Sequence, residues 1–141
     1  MRGFSLVELL VAMGIIAVLA TLAMANFIGA QSRGRDAQRK ANIRQIQSAL
    51  ELYRADNASY PLAPLPACGQ PFAVSGSVYM QKIPCDPQNT GQVVFQYTSN
   101  GTTYTLTTCL ENVNDAAKDP TNNSTYCSGG TTNWSHTVTN P

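Results

Sequence analysis

The uncharged apolar run over residues 9–30 constrains this chain more than any other stretch. As a helix, its 22 residues rise about 33 Å, enough to cross the hydrocarbon core of a bilayer. One carboxylate, Glu8, stands at its threshold. An ionised side chain placed in lipid costs roughly 2.5–3.5 kcal/mol even on insertion-based scales, so Glu8 calls for a partner. The residues in front of it read Arg2-Gly3-Phe4-Ser5-Leu6-Val7.

Two ordinary readings of this N-terminus fit it poorly. A secretory signal peptide would use Ala23-Met24-Ala25 as its small-residue cleavage site and release a chain beginning at Asn26. Its apolar core would be longer than the usual roughly 7–15 residues, Arg2 would be its only basic leader residue, and a Glu at the start of the core is unexpected. A plain membrane anchor accounts for the length, but for neither Gly3-Phe4 nor Glu8.

The heptad from Arg2 to Glu8 resembles the type IV pilin superfamily. Precursors of that family carry a basic residue, Gly, Phe, Ser or Thr, Leu, an apolar residue and Glu, and every position is filled here. The resemblance implies that a membrane-bound prepilin peptidase cuts between Gly3 and Phe4 and methylates the new amine of Phe4. It also implies that Glu8 is the counter-charge of that amine, paired between neighbouring subunits of a filament. Glu8 lies near the positive end of the helix dipole as well, a smaller effect of about 0.3–1 kcal/mol. The chain would cross the cytoplasmic membrane once before assembly and stand in an extracellular, cell-surface filament afterwards. One departure is visible: pilins often carry a proline just before an Asn-Phe or similar pair, and this chain has Ala25 before Asn26-Phe27. Local unwinding of the helix in a filament therefore has less reason to occur, although Gly14 and Gly29 ease bending.

Beyond Ala30 the composition turns polar, but the helical pattern continues. Ile43, Ile46, Leu50 and Tyr53 recur at spacings of three and four, with Ala37, Ala41 and Ala49 beside them, which makes one apolar stripe. A helix over residues 4–55 would measure about 78 Å. Arg35, Arg39, Lys40 and Arg44 read as its polar side, and the basic cluster from Arg33 to Arg44 as a solvated face near lipid headgroups. No aromatics are interleaved for base stacking, so no nucleic-acid binding is expected. Gly34 marks a weak point in the helix.

The helix ends in Asp56-Asn57-Ala58-Ser59-Tyr60-Pro61, because the residue before a proline avoids the helical region. Pro61, Pro64 and Pro66 then predict an extended connector containing Cys68. Tyr53 through Pro61 is similar to the helix exit of the superfamily. Val78 through Pro84, followed by Cys85-Asp86-Pro87, resembles a loop of major pseudopilins and their pilin relatives, so the likeness covers about the first 87 residues. Val93, Phe95 and Tyr97 alternate with polar residues, as do Tyr104, Leu106 and Thr108, and Asn100-Gly101 lies between the runs. That pattern predicts an antiparallel hairpin lying on the helical stripe. Residues 112–130 read as a loop, and residues 131–138 as a short edge strand.

Residues 1–54 hold seven basic and three acidic side chains, and residues 55–141 hold two basic and five acidic. A net +4 segment against a net −3 segment favours head-to-flank contacts between copies. Once the long helix is set aside, roughly 85 residues remain, too few for a large core without staples. The four cysteines contain no C-x-x-C pair and His136 is the only histidine, which argues against zinc or haem. They read as two disulfides in an oxidising compartment. Three pairings are open; Cys68–Cys85 with Cys109–Cys127 is preferred because each closes a local loop of about 17 residues, worth roughly 3 kcal/mol.

Residues for catalysis are missing. His136 lies in a polar tail, and Gly129-Gly130 lacks the spacing of a nucleotide loop. Glu111, Asp115 and Asp119 could touch calcium, as some major pseudopilins do in the late loop, but no calcium-loop spacing is visible and no metal or cofactor is expected. Asn57, Asn100, Asn122, Asn123 and Asn133 begin Asn-x-Ser/Thr triplets that arise readily in such a composition.

The expected fold is α+β and pilin-like: a long helix, apolar in its first half and amphipathic in its second, packed on a small antiparallel sheet. Residues 1–3 are a leader, 4–30 the membrane and filament-core half, and 31–141 the head. The head divides into helix 31–55, αβ-loop 56–91, and sheet with clipped loop 92–141. The expected function is a non-enzymatic subunit of a type IV pilus-like homo-oligomeric filament, handled by prepilin peptidase and an assembly machinery. The alternatives are a type II secretion pseudopilin and, from another class, a secreted binding domain cut after Ala25.

Overall fold

The computed structural model describes residues 3–88, 95–128 and 133–141. Helix α1 (Leu6–Asn57) is followed by β1 (Phe72–Val74), β2 (Ser77–Met80), β3 (Gln96–Ser99), β4 (Tyr104–Leu110) and β5 (Trp134–Thr139). The chain divides into two compact units, Met1–Gly34 and Arg35–Pro141.

In the first unit nothing but helix is built after Ser5. Its backbone stays helical through Ala25 and Asn26, in keeping with the missing proline. Large apolar side chains from Phe4 to Ile28 are more than half exposed, so this unit has no core of its own.

The second unit is built on the amphipathic part of α1. Ile43, Ile46, Ala49 and Leu50 are buried together with Tyr60, Phe72, Ile83, Tyr104 and Leu106, and Tyr53 packs against that core. Ala37 and Ala41 do not join it: both are exposed, because their helical positions face away from the side that meets the sheet. The helix stops as Ala58 turns left-handed (φ 57°). The Ala58 N–H donates to the Arg54 carbonyl at 2.8 Å, and the Asn57 side-chain amide caps the Tyr53 carbonyl at 2.9 Å.

β3, β4 and β5 form one antiparallel sheet with β4 in the centre. The hairpin falls where Asn100-Gly101 predicts it: Asn100 Oδ1 accepts from the Thr102 and Thr103 amides, and Gly101 takes φ 86°. The expected participation of Val93 lies outside the described residues. On β4, Tyr104, Leu106 and Leu110 are buried, and Cys109 on the opposite face is buried too, joined there to Cys127. β5 is an edge strand, as expected, starting at Trp134; residues 131 and 132 lie outside the described residues. Its free edge is closed by the late loop. Ser135 N–H donates to Asn122 Oδ1, Asp119 N–H to the Ser135 carbonyl, and Thr137 N–H to Asp119 Oδ1. These contacts mask groups that would otherwise invite pairing with another chain.

Residues 61–68, where an extended connector is expected, hold neither helix nor strand, but the αβ-loop beyond them is more ordered than a loop. It contains a second sheet, the β1–β2 hairpin, turning at Ser75 (φ 53°) and Gly76 (φ 89°). Two successive positive φ values are what a tight hairpin turn requires, and Ser75-Gly76 between the apolar runs Phe72-Ala73-Val74 and, after Ser77, Val78-Tyr79-Met80 is the signal that carries it. The hairpin docks on α1 through three rings: Tyr53, Phe72 and Tyr79 lie with centroids 5.2–5.6 Å apart. Cys68 is bonded to Cys85 and Cys109 to Cys127, with Cα–Cα distances of 4.9 and 5.5 Å.

Candidate functional site

At the N-terminus, Gly3, Phe4 and Ser5 precede the helix, and Phe4 is 88% exposed. The Ser5 N–H donates to Glu8 Oε2 at 3.0 Å, and Ser5 Oγ accepts from the Val7 N–H at 3.3 Å. This is a Ser-x-x-Glu cap, in which each side chain satisfies an amide that the first helical turn leaves without a partner. Glu8 is thus already engaged within its own chain, one turn from Phe4. An 18-residue window of α1 has a mean hydropathy of 2.5, long and apolar enough to cross a membrane.

The second site is the ionic cluster that fastens the head to α1. Arg39 has no exposed surface. Its Nε and Nη2 donate to Asp86 at 2.7 and 3.0 Å, and its Nη1 donates to Asp36 at 2.8 Å and to Glu111 at 2.7 Å. Asp36, only 1% exposed, also accepts from the backbone amides of Glu111 (2.9 Å) and Asn112 (2.8 Å). Arg35 grips Glu111 through Nε at 2.7 Å and through Nη2. Lys40 reaches Asp115 at 2.7 Å. One helical turn of α1 therefore holds the αβ-loop just after Cys85 and the chain just after β4.

Burial alone disfavours the Arg39 cation, but its hydrogen bonds to Asp86 and Glu111 prevail and raise its pKa further. Hydrogen bonding from Arg35 holds the Glu111 carboxyl below its ordinary range against the opposing effect of burial. Lys40 and the Ala117 amide do the same for Asp115. For Asp119, burial pushes upward, and the Ser135 and Thr137 hydrogen bonds outweigh it to leave the pKa lowered.

This arrangement corrects the solvated-face reading of the basic cluster. Arg35, Arg39 and Lys40 point into the head, and of this cluster Arg33 and Arg44 are exposed. The carboxylates that call them inward are far away in sequence, 47 residues for Asp86 and 72 for Glu111. Much of the +4/−3 contrast is therefore consumed inside one chain, which weakens its use between copies. Glu111, Asp115 and Asp119 go to Arg35 and Arg39, to Lys40, and to Thr137 respectively, and among the described residues no group of three His, Cys, Asp or Glu side chains is arranged to hold a metal ion. His136 is half-buried, with Nδ1 2.6 Å from the Ala117 carbonyl. Since a carbonyl only accepts, Nδ1 carries the proton.

Removing Arg39 strands two buried carboxylates. Arg39→Leu is expected to destabilise the head by about 3–5 kcal/mol, whereas Arg44→Leu changes it by no more than about 0.5 kcal/mol. Chemical denaturation of the full chain in detergent micelles, followed by tyrosine near-ultraviolet circular dichroism, separates the two; equal effects would remove Arg39 from its central place. Because Glu111, Asp115 and Asp119 have lowered pKa values, their stabilisation is complete above the ordinary carboxylate range and drains away as pH falls through their depressed values. The melting temperature of the head should hold between about pH 6 and 5 and drop below about pH 4, and Glu111→Gln should flatten that drop.

Comparison with known proteins finds two successive matches along the chain. Residues 1–24 match the prokaryotic N-terminal methylation motif, and residues 26–124 match the family described as type II secretion system (T2SS), protein G. The type II secretion system core protein G of Escherichia coli (strain K12) is 32% identical over 97 residues, 61% of this chain and 66% of that protein. The core protein G of Vibrio cholerae is 27% identical over 107 residues, 70% of this chain and 71% of that protein. The type IV major pilin protein PilA of Myxococcus xanthus is 34% identical over 59 residues, 42% of this chain and 27% of that protein. The chain thus spans just under two thirds of the Escherichia coli relative. No solved structure matches it. A methylation motif followed by a protein G match over most of the remaining residues means that this chain belongs to the type II secretion system protein G family, within the type IV pilin superfamily.

Proposed function

We propose that this chain is a major-pseudopilin-like subunit: a structural protein, not an enzyme, that assembles into a filament serving type II secretion. The observation that carries this reading is the protein G match over residues 26–124, which extends through the head; the pilin relative matches 59 residues only. That favours the pseudopilin reading over the type IV pilus subunit put first on sequence. The pilus reading keeps one support, since PilA of Myxococcus xanthus shares 34% identity in its matched part.

The steps follow from the residues. The apolar helix and the methylation motif fit anchoring in the inner membrane before assembly. Prepilin peptidase cuts between Gly3 and Phe4, where the backbone is exposed and not yet helical. Cleavage leaves a cationic Phe4 amine one turn from Glu8. In the unassembled chain Glu8 is held by the Ser5 amide. In the filament the methylated amine of a neighbouring Phe4 replaces that neutral donor, exchanging a dipole for a full charge in an apolar setting. The exposed apolar side chains between Phe4 and Ile28 pack against sister helices, and the disulfide-stapled head stays outside.

Deleting the chain's gene from its host should stop release of folded exoproteins into the medium, and the wild-type gene should restore it. Glu8→Ala, at equal membrane abundance, should lower both cross-linked multimers and exoprotein release at least about tenfold, as loss of about 1.4 kcal/mol or more implies. Normal multimers from Glu8→Ala would contradict the charge-pair step. Unchanged secretion with loss of long surface filaments would return the chain to the pilus reading.

A further inference from the structure

The two disulfides differ in a way that their similar loop lengths conceal. Cys109 and Cys127 are each 3% exposed, shut between β4 and the late loop. Cys68 is exposed, at the end of a stretch without helix or strand that contains Pro61, Pro64 and Pro66, and Cys85 is half-buried. Thiol–disulfide exchange needs a thiolate to reach one sulfur in line with the bond, so access decides which bridge reacts.

We propose that Cys68–Cys85 is a reversible redox site, exchanged by an envelope dithiol of the Cys-x-x-Cys class, while Cys109–Cys127 is a permanent staple. The reductant's thiolate attacks Cys68 Sγ, the bond to Cys85 Sγ breaks, and Cys85 leaves as a thiolate that takes a proton from water. The reductant's second thiol then attacks the mixed disulfide and releases Cys68 as a thiol. Two electrons pass from the dithiol to the bridge, and the reductant becomes a disulfide.

Three features suit the bridge to this exchange. The Lys82 side chain runs beside Gly69, its Cε 3.7 Å from where a Cβ there would stand. A side chain that carries a cation thus lies against the residue that follows Cys68, and a nearby cation attracts the incoming thiolate and stabilises the departing one. The negative charge next to Cys85 is offset in part, because Asp86 is bound by Arg39. The two cysteines are also held together without the bridge. Gly69 N–H donates to the Ile83 carbonyl and Ile83 N–H to the Gln70 carbonyl, both at 2.8 Å, and Asn42 Nδ2 donates to the Cys85 carbonyl at 3.3 Å. An opened bridge therefore finds its partner again, and the head stays folded meanwhile.

The test uses the full chain in detergent micelles at neutral pH, with a reduced Cys-x-x-Cys oxidoreductase as reductant, and samples alkylated over time and mapped by mass spectrometry. Cys68 and Cys85 should be alkylated at least about tenfold faster than Cys109 and Cys127, as expected of a bridge that needs no opening of the fold. The near-ultraviolet signal of the tyrosines should persist while only the first pair is open. Equal rates, earlier alkylation of Cys109 and Cys127, or loss of that signal in step with Cys68 alkylation would overturn the proposal. In a second variant, Lys82→Gln should slow the first pair severalfold and leave the second unchanged; an unaltered rate overturns the part assigned to Lys82.

Discussion

Arg39 sits out of contact with solvent among three carboxylates, and the head depends on that one guanidinium. Through Asp86 it fixes the end of the αβ-loop to α1, and through Glu111 and Asp36 it fixes the exit of β4. A buried ion pair adds little net stability, since desolvation offsets most of its attraction. Its contribution is positional. An apolar stripe alone lets a sheet slide along a helix, whereas a planar fork with four directed hydrogen bonds selects one register. Both disulfides stand within a few residues of these anchor points, at Cys85 and Cys109.

The two units solve opposite problems with the same helix. Arg35–Pro141 closes a core of its own around Ile43, Ile46 and Leu50, and caps the free edge of β5 with Asp119 and Asn122. Among the described residues of Met1–Gly34 no core is closed, and the large apolar side chains from Phe4 to Ile28 stay exposed. Surface of that extent is stable only in lipid or against other apolar helices. The proposed passage from membrane to filament would meet that need. The Ser5–Glu8 cap keeps the first helical turn satisfied in the meantime.

Much of this was legible in the residues. The spacing of Ile43, Ile46, Leu50 and Tyr53 marks the core face, because a period near 3.6 has one interpretation. Asn100-Gly101 marks the hairpin for an equally local reason. The Ser-Gly turn of β1–β2 was equally local, but it was overshadowed by the prolines before it. Arg39 was not legible. Five basic residues in twelve positions look like a solvated face, and only carboxylates 47 and 72 residues away reveal otherwise. The opposite net charges of the two segments did hint at pairing, although that pairing lies largely within one chain. Ala37 and Ala41 were misplaced because alanine suits either face of a helix.

Everything assigned to the N-terminal unit rests on the bond between Gly3 and Phe4. Mass spectrometry of the mature protein from its host membrane tests it most directly. An N-terminus at Phe4 bearing one methyl group is the result this account predicts. A chain beginning at Asn26, or one still carrying Met1, would contradict it.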